Sequence, residues 1–391
     1  MSLRLGRYCV QLAVLVSLSG CATVTDWFSL DDEDLNQPAE LMAITETVSV
    51  KRAWSVSVGD GQGKGYYRLT PALSNGRVIA VSNDGELVVV DASSGKQVWK
   101  RELDVQITGG VGVGSGQIVL GTSEGEVIAV SESDGEELWS QTLRGEVLAA
   151  PQTDGRTVIV QTYDGRAQGL DAVSGDLLWT FDSNVPVLTI RGTSTPILRA
   201  GVAYVAFANG RVVAFDARTG AVAWELRVAF AQGRSEIERM VDVDGAMTIF
   251  GTEIFAASYQ GYVVAADLRT GRKLWQQEVS SVSGVSTGFG NVYVSDQDGS
   301  VYAYLRNGQG LRWVQSDLSY RAPTRPAVVG GNLALTDLEG VMHIMSQVDG
   351  RFVAREKLGS PARADILVDQ SRLFVFTDKG KLFAYDVVAK D

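Results

Sequence analysis

Histidine and cysteine are nearly missing from this chain. His343 is the one histidine, and the two cysteines, Cys9 and Cys21, both lie near the N-terminus. Beyond Cys21 no disulfide can staple the body, and no thiol is available there as nucleophile or metal ligand. A zinc site needs more ligands than one imidazole and a thiol-free body supply. No metal, no cofactor and no catalytic residue is therefore expected. Proline is scarce at 8 residues while glycine reaches 43, a balance that means many tight turns and few breakers. Positive charge is also short. The net charge is −11, and it becomes −13 without residues 1–20, which hold Arg4 and Arg7 and no acid. So acidic a body argues against wrapping nucleic acid or lying on anionic lipid by charge, and favours basic or mixed partners.

What the chain does contain begins with an address. Arg4 and Arg7 precede an apolar run, Val10 to Leu18, that is too short to span a bilayer as a helix. The run ends in Leu18-Ser19-Gly20-Cys21. This resembles the lipobox of bacterial lipoproteins, where cleavage precedes a cysteine whose thiol is then lipidated. Residues 1–20 read as a signal peptide and Cys21 as the lipidation site. Ala22 and Thr23 follow where an inner-membrane retention rule wants Asp, so the resemblance implies the periplasmic face of the outer membrane. Residues 21–45 read as a flexible tether, because Asp26, Asp31, Asp32, Glu33, Asp34 and Glu40 repel one another with no base among them.

From residue 46 to 391 the chain repeats itself. Gly85, Gly125, Gly165, Gly210, Gly261 and Gly299 each precede a tryptophan by 14 residues: Trp99, Trp139, Trp179, Trp224, Trp275 and Trp313. Gly340 and Gly380 begin two more copies, with Ala354 in the tryptophan place of the first. A period near 40 residues with about four short strands is the signature of a propeller. Runs such as Val127-Ile128-Ala129-Val130 lack polar alternation and suit strands buried on both faces. The last copy has no final strand, but Val50-Lys51-Arg52-Ala53-Trp54 looks like the outer strand of the others. The expectation is an all-β fold: an eight-bladed β-propeller of four-stranded antiparallel blades, the last closed by an N-terminal strand. Seven blades with a stray strand is the competing count. Asp91, Asp171, Asp216, Asp267 and Asp386 share one repeat position and read as turn caps, and His343 reads as a structural histidine within a strand.

The Asp-x-x-Ser/Thr-Gly-x-x-x-Trp pattern resembles the repeats of pyrroloquinoline quinone (PQQ) dehydrogenases. Taken with the lipobox, the acidic tether, the length and the blade count, the chain is more similar to the BamB family, lipoproteins of the machinery that assembles outer-membrane β-barrels. The resemblance implies a non-enzymatic scaffold that binds BamA through its POTRA domains, joins the other subunits of that complex and meets unfolded outer-membrane proteins.

Three junctions between copies are longer than the rest: Trp54 to Pro71, Trp179 to Pro196, and Trp224 to about Ala246. Function concentrates in such loops. All three are the same kind of connection, so they emerge on one face, and the second and third are neighbours. Leu188, Ile190 and Arg191 in the second insert, and Asp242 and Asp244 in the third, match the segments with which the family faces BamA. An apolar pair beside an arginine makes an anchor, and carboxylates suit a basic edge. Alternatively, Arg191 pairs with Asp242 or Asp244 and only knits the two loops. The first insert, Gly59 to Arg68, has neither a Gly-Lys-Ser/Thr ending nor a following helix pattern, and reads as a mobile loop. Two rival functions stay open: a PQQ-dependent dehydrogenase, which the cysteine-free body disfavours, and a glycan-binding propeller.

Overall fold

The computed structural model describes residues 37–65, 67–186, 188–190 and 192–390. The chain from Ala39 onward forms one unit. In it the strands group into eight four-stranded antiparallel sheets. Seven are built from consecutive strands: 72–102, 107–142, 152–182, 197–227, 248–278, 285–315 and 327–357, here blades 1 to 7. Blade 8 takes its three inner strands from the C-terminus and its outer strand, Val48–Ser57, from the N-terminus. That strand pairs with Lys381–Ala389 in a register running from Val48 opposite Ala389 to Ser57 opposite Lys381. Eight blades closed by the N-terminal strand is the expected count and the expected closure.

The two middle strands of each blade are mostly apolar and largely buried. Val78, Ile79, Ala80, Leu87, Val89 and Val90 in blade 1 are all at 0% exposure. The blades meet through these side chains, so neighbouring sheets share their hydrophobic clusters.

A repeated staple adds direction to that packing. Seven tryptophans on outer strands reach into the next blade and donate Nε1–H to a carbonyl there, for example Trp139 to Ala172 at 2.9 Å and Trp179 to Ala217 at 2.8 Å. Each indole lies on a glycine of that blade's outer turn. A Cβ on Gly175 would come 2.7 Å from Trp139, and one on Gly220 2.6 Å from Trp179. These glycines also hold φ of +78° and +71°. Both constraints select Gly over any side chain. In blades 1, 3, 4 and 5 an aspartate four residues before this glycine caps the turn: Asp171 Oδ1 accepts from the amides of Val173 and Ser174 at 2.9 and 3.0 Å. Asp91, Asp216 and Asp267 act alike.

Blade 8 departs from this scheme, and the reason is topological. Its two outer strands come from opposite ends of the chain, so no turn joins them and no glycine platform exists. Blade 7 accordingly carries Ala354 where the others carry tryptophan. Asp386 has no turn to cap, contrary to its expected role. It accepts instead from Arg372 Nε and Nη2 at 2.7 and 3.0 Å, while Arg372 Nη1 reaches Ala92 O and Ser93 O in blade 1.

Of the stretch read as a tether, residues 37–45 are described, and from Ala39 they are bonded to the ring. Ala39 N donates to Ser319 O at 2.9 Å, and Arg321 Nη1 donates to Ala39 O at 2.8 Å. Arg355 Nη1 donates to Met42 O, and Leu41 and Ile44 pack against the cluster shared by blades 6 and 7. Thr47 N then reaches Val353 O, where the closing strand begins. His343 lies behind this strap at 0% exposure, between Asp337 Oδ2 at 2.8 Å from Nε2 and Arg355 Nε at 3.3 Å from Nδ1. Arginine can only donate, so Nδ1 accepts and Nε2 carries the proton: a neutral, fully partnered histidine.

Candidate partner-binding loop face

Antiparallel pairing places the two kinds of turn on opposite faces. The connections from one blade's outer strand to the next blade's inner strand share a face with the middle turns, such as Asn83-Asp84-Gly85. Leu103 N donates to Gly85 O there, and Val228 N to Gly210 O. The long inserts belong to this loop face, and the second and third meet on it. The backbone N–H of Ile190 donates to the Asp242 carboxylate, and Ser194 Oγ donates to Gly245 O at 2.9 Å. A Cβ on Gly192 would lie 3.2 Å from Asp244 Oδ2, so only glycine permits this approach without displacement. Thr189 Oγ1 lies 3.1 Å from Tyr163 OH on the adjoining turn of blade 3.

The predicted site residues divide by burial. Leu188 is 40% exposed and Ile190 half-buried, so both reach the surface. Asp242 and Asp244 do not, at 0% and 7%. With Val241 and Val243, also buried, they form the floor on which the 188–194 segment rests. Neither carboxylate stands on the outer surface of the loops. Arg191 lies outside the described residues, as does Cys21.

Burial pushes the Asp242 carboxyl up to about 6, with the Ile190 amide opposing the rise. It pushes Asp244 up to about 8, helped by the charge of Asp242 and opposed by Arg68. Two carboxyls driven out of water beside each other resist joint ionisation. Asp242 works as a hydrogen-bonding post within the loop pair.

Two exposed apolar side chains of the third insert carried no sequence signal. Phe230 is 63% exposed under the Arg227 guanidinium, 5.2 Å from the ring centroid, and Ile237 is 62% exposed. Ile237 sits in a turn held by Glu238, whose carboxylate accepts from the Arg234 and Ser235 amides at 2.6 and 3.1 Å. Neither residue repeats, so periodicity could not single them out.

The first insert differs from its expected mobility. Gln62 is fully buried and spans the loop, bonding Leu69 O at 3.1 Å and Leu69 N at 2.7 Å. Asn83 N and Asp378 O clamp the preceding turn from blades 1 and 8. The loop ends in Arg68, which donates to Val282 O at 2.9 Å. With Ile190, Asp244 and the Arg325–Asp365 ion pair, Arg68 lines a cavity of about 590 Å³ at the channel mouth. No group of three or more His, Cys, Asp and Glu fit to hold a metal occurs among the described residues.

The fold defines a class, the eight-bladed propellers with PQQ-like repeats. The quinohemoprotein alcohol dehydrogenase of Comamonas testosteroni shares that architecture, with a TM-score of 0.69 over 90% of this chain and 79% of its own at 14% identity, a likeness of fold alone. Sequence narrows the class. The family model described as "Outer membrane protein assembly factor BamB" matches residues 43–108 and 83–315. The protein of that name from Pseudomonas aeruginosa is 49% identical over 97% of this chain and 99% of its own. The crystal structure of BamB from Moraxella catarrhalis superposes with a TM-score of 0.79 at 30% identity, covering 86% of this chain and all of that one. The chain belongs to the BamB family of outer membrane protein assembly factors.

Proposed function

We propose that this chain is a non-enzymatic scaffold of the outer-membrane protein assembly complex. It is held at the periplasmic face of the outer membrane by lipid on Cys21, and it docks the POTRA domains of BamA with its loop face. The outer-membrane role and the place in the complex rest on family membership. The docking site rests on one observation: the second and third inserts are locked together through Asp242, and they leave Leu188, Ile190, Phe230 and Ile237 facing out. Apolar side chains held on ordered loops lose little entropy when a partner covers them, and a few such anchors carry most of an interface. Arg191 supplies the polar contact beside them, whereas Asp242 and Asp244 hold the loop in shape.

The test is co-purification of BamA with the lipidated protein from solubilised membranes. Leu188→Ala with Ile190→Ala, and separately Arg191→Ala, should each lower recovery at least tenfold with the circular dichroism spectrum unchanged. Full recovery with both variants would remove the loop face from the interface.

A further inference from the structure

The opposite face of the ring, where the inner hairpins and outer turns lie, is uneven in a way the loop face does not explain. On blades 5 and 6 the tips of neighbouring inner hairpins carry Phe250 and Phe289, 48% and 68% exposed. Phe289 holds a φ of +48°, followed by Gly290 at +73°. The same tip in blade 1 is Asn75-Gly76 and in blade 2 Ser115-Gly116. A left-handed residue ahead of a glycine suits Asn and penalises an aromatic, so local conformation does not account for the phenylalanine.

Arginines stand on the same face of blades 4 to 6. Arg306 lies over the Phe250 ring at 4.4 Å, and its one acidic neighbour, Glu253, is 3.5 Å away. Arg218, Arg269 and Arg272, on the outer turns of blades 4 and 5, are exposed and make no ion pair among the described residues. The aspartates of those turns are engaged as caps, Asp216 by Thr219 Oγ1 at 2.7 Å and Asp267 by Thr270 Oγ1 at 2.6 Å. The matching turn of blade 2 is opposite in character, with Glu132, Asp134 and Glu136 and no base. In a chain of net charge −11, exposed arginines and two projecting aromatics thus share one face of blades 4 to 6.

We propose that this sector is a membrane-contact surface that seats on anionic phospholipid headgroups. The phenylalanines enter the headgroup boundary and the arginines pair with phosphates. Basic side chains beside exposed aromatics favour an anionic bilayer surface. The disc then contacts lipid with one face and protein with the other. This surface is independent of the loop-face reading.

Vesicle flotation tests it, using the chain from Ala22 onward, which keeps every described residue and lacks the acylated cysteine. The chain is expected to float with phosphatidylcholine vesicles enriched in phosphatidylglycerol, whose negative surface attracts basic side chains. It should stay behind with phosphatidylcholine alone. Phe289→Asn, which suits the left-handed backbone and so preserves the fold, should cut flotation at least fivefold, as should Arg218→Glu with Arg269→Glu. Leu188→Ala should leave flotation unchanged, and the patch variants should leave BamA co-purification unchanged. No flotation with the anionic vesicles, equal flotation with neutral ones, or full flotation of the patch variants would overturn the proposal.

Discussion

Trp139 offers a direct measure of what holds one blade to the next. The indole is 7% exposed, packs in the cluster between blades 2 and 3, and donates to Ala172 O at 2.9 Å. Trp139→Ala is expected to cost about 3–5 kcal/mol, the range for deleting a buried aromatic. Little of this comes from an orphaned carbonyl, because Ala172 O still accepts from Gln117 Nε2 at 2.8 Å. Trp139→Phe should therefore cost only about 1–2 kcal/mol, for one hydrogen bond and the missing ring volume. Gly175 is the other half of the staple. Gly175→Ala puts a methyl 2.7 Å from the indole at a φ of +78°. In the wild-type background it meets both steric clash and backbone strain; beside Trp139→Ala only the strain remains, about 1 kcal/mol. The double-mutant cycle should give a coupling of at least about 1 kcal/mol. Urea unfolding followed by far-ultraviolet circular dichroism reads all four proteins. Additivity within about 0.5 kcal/mol would mean that indole and glycine do not interact, and the staple would be refuted.

Further outcomes follow from blades 7 and 8. Burial holds the His343 imidazole below its ordinary pKa, so the folded state keeps it neutral while the unfolded chain protonates near pH 6.5. Stability is then full above about 6.5 and declines as pH falls below it; thermal midpoints between pH 7.5 and 5 should drop less in His343→Gln. Arg372→Ala removes the bidentate pair with Asp386 and two carbonyl contacts to blade 1. It should cost about 1–2 kcal/mol at the seam, read by the urea midpoint. Arg355→Ala frees Met42 O and one side of His343; hydrogen exchange of the 39–47 amides should accelerate while the amides of blades 2 to 4 stay protected.

The repeat was legible because its physics is local. Gly-to-Trp spacing, capped Asp turns and unbroken β-branched runs each need only neighbouring residues, and together they imply the ring, the blade count and the origin of the closing strand. The adjacency of the second and third inserts followed from connectivity. Burial did not. Asp242 and Asp244 look like surface acids in sequence, and only the fold reveals that Ile190 and Gly192 lie against them. The strap at 39–47 was hidden because acidic residues nearby suggested solvation, while its contacts come from Ser319, Arg321 and Arg355, hundreds of positions away. The pinned first insert escaped notice similarly, since Gln62 bonds backbone rather than matching a motif.

A blade stitched from both termini also sets the timetable of folding. Until Lys381–Ala389 emerges, the strand at Val48–Ser57 has no partner and the circle stays open. A chain cut short by even ten residues would leave two blade edges bare, an invitation to association with other extended chains. The seam thus acts as a completeness check, sealing only when the last residues have arrived.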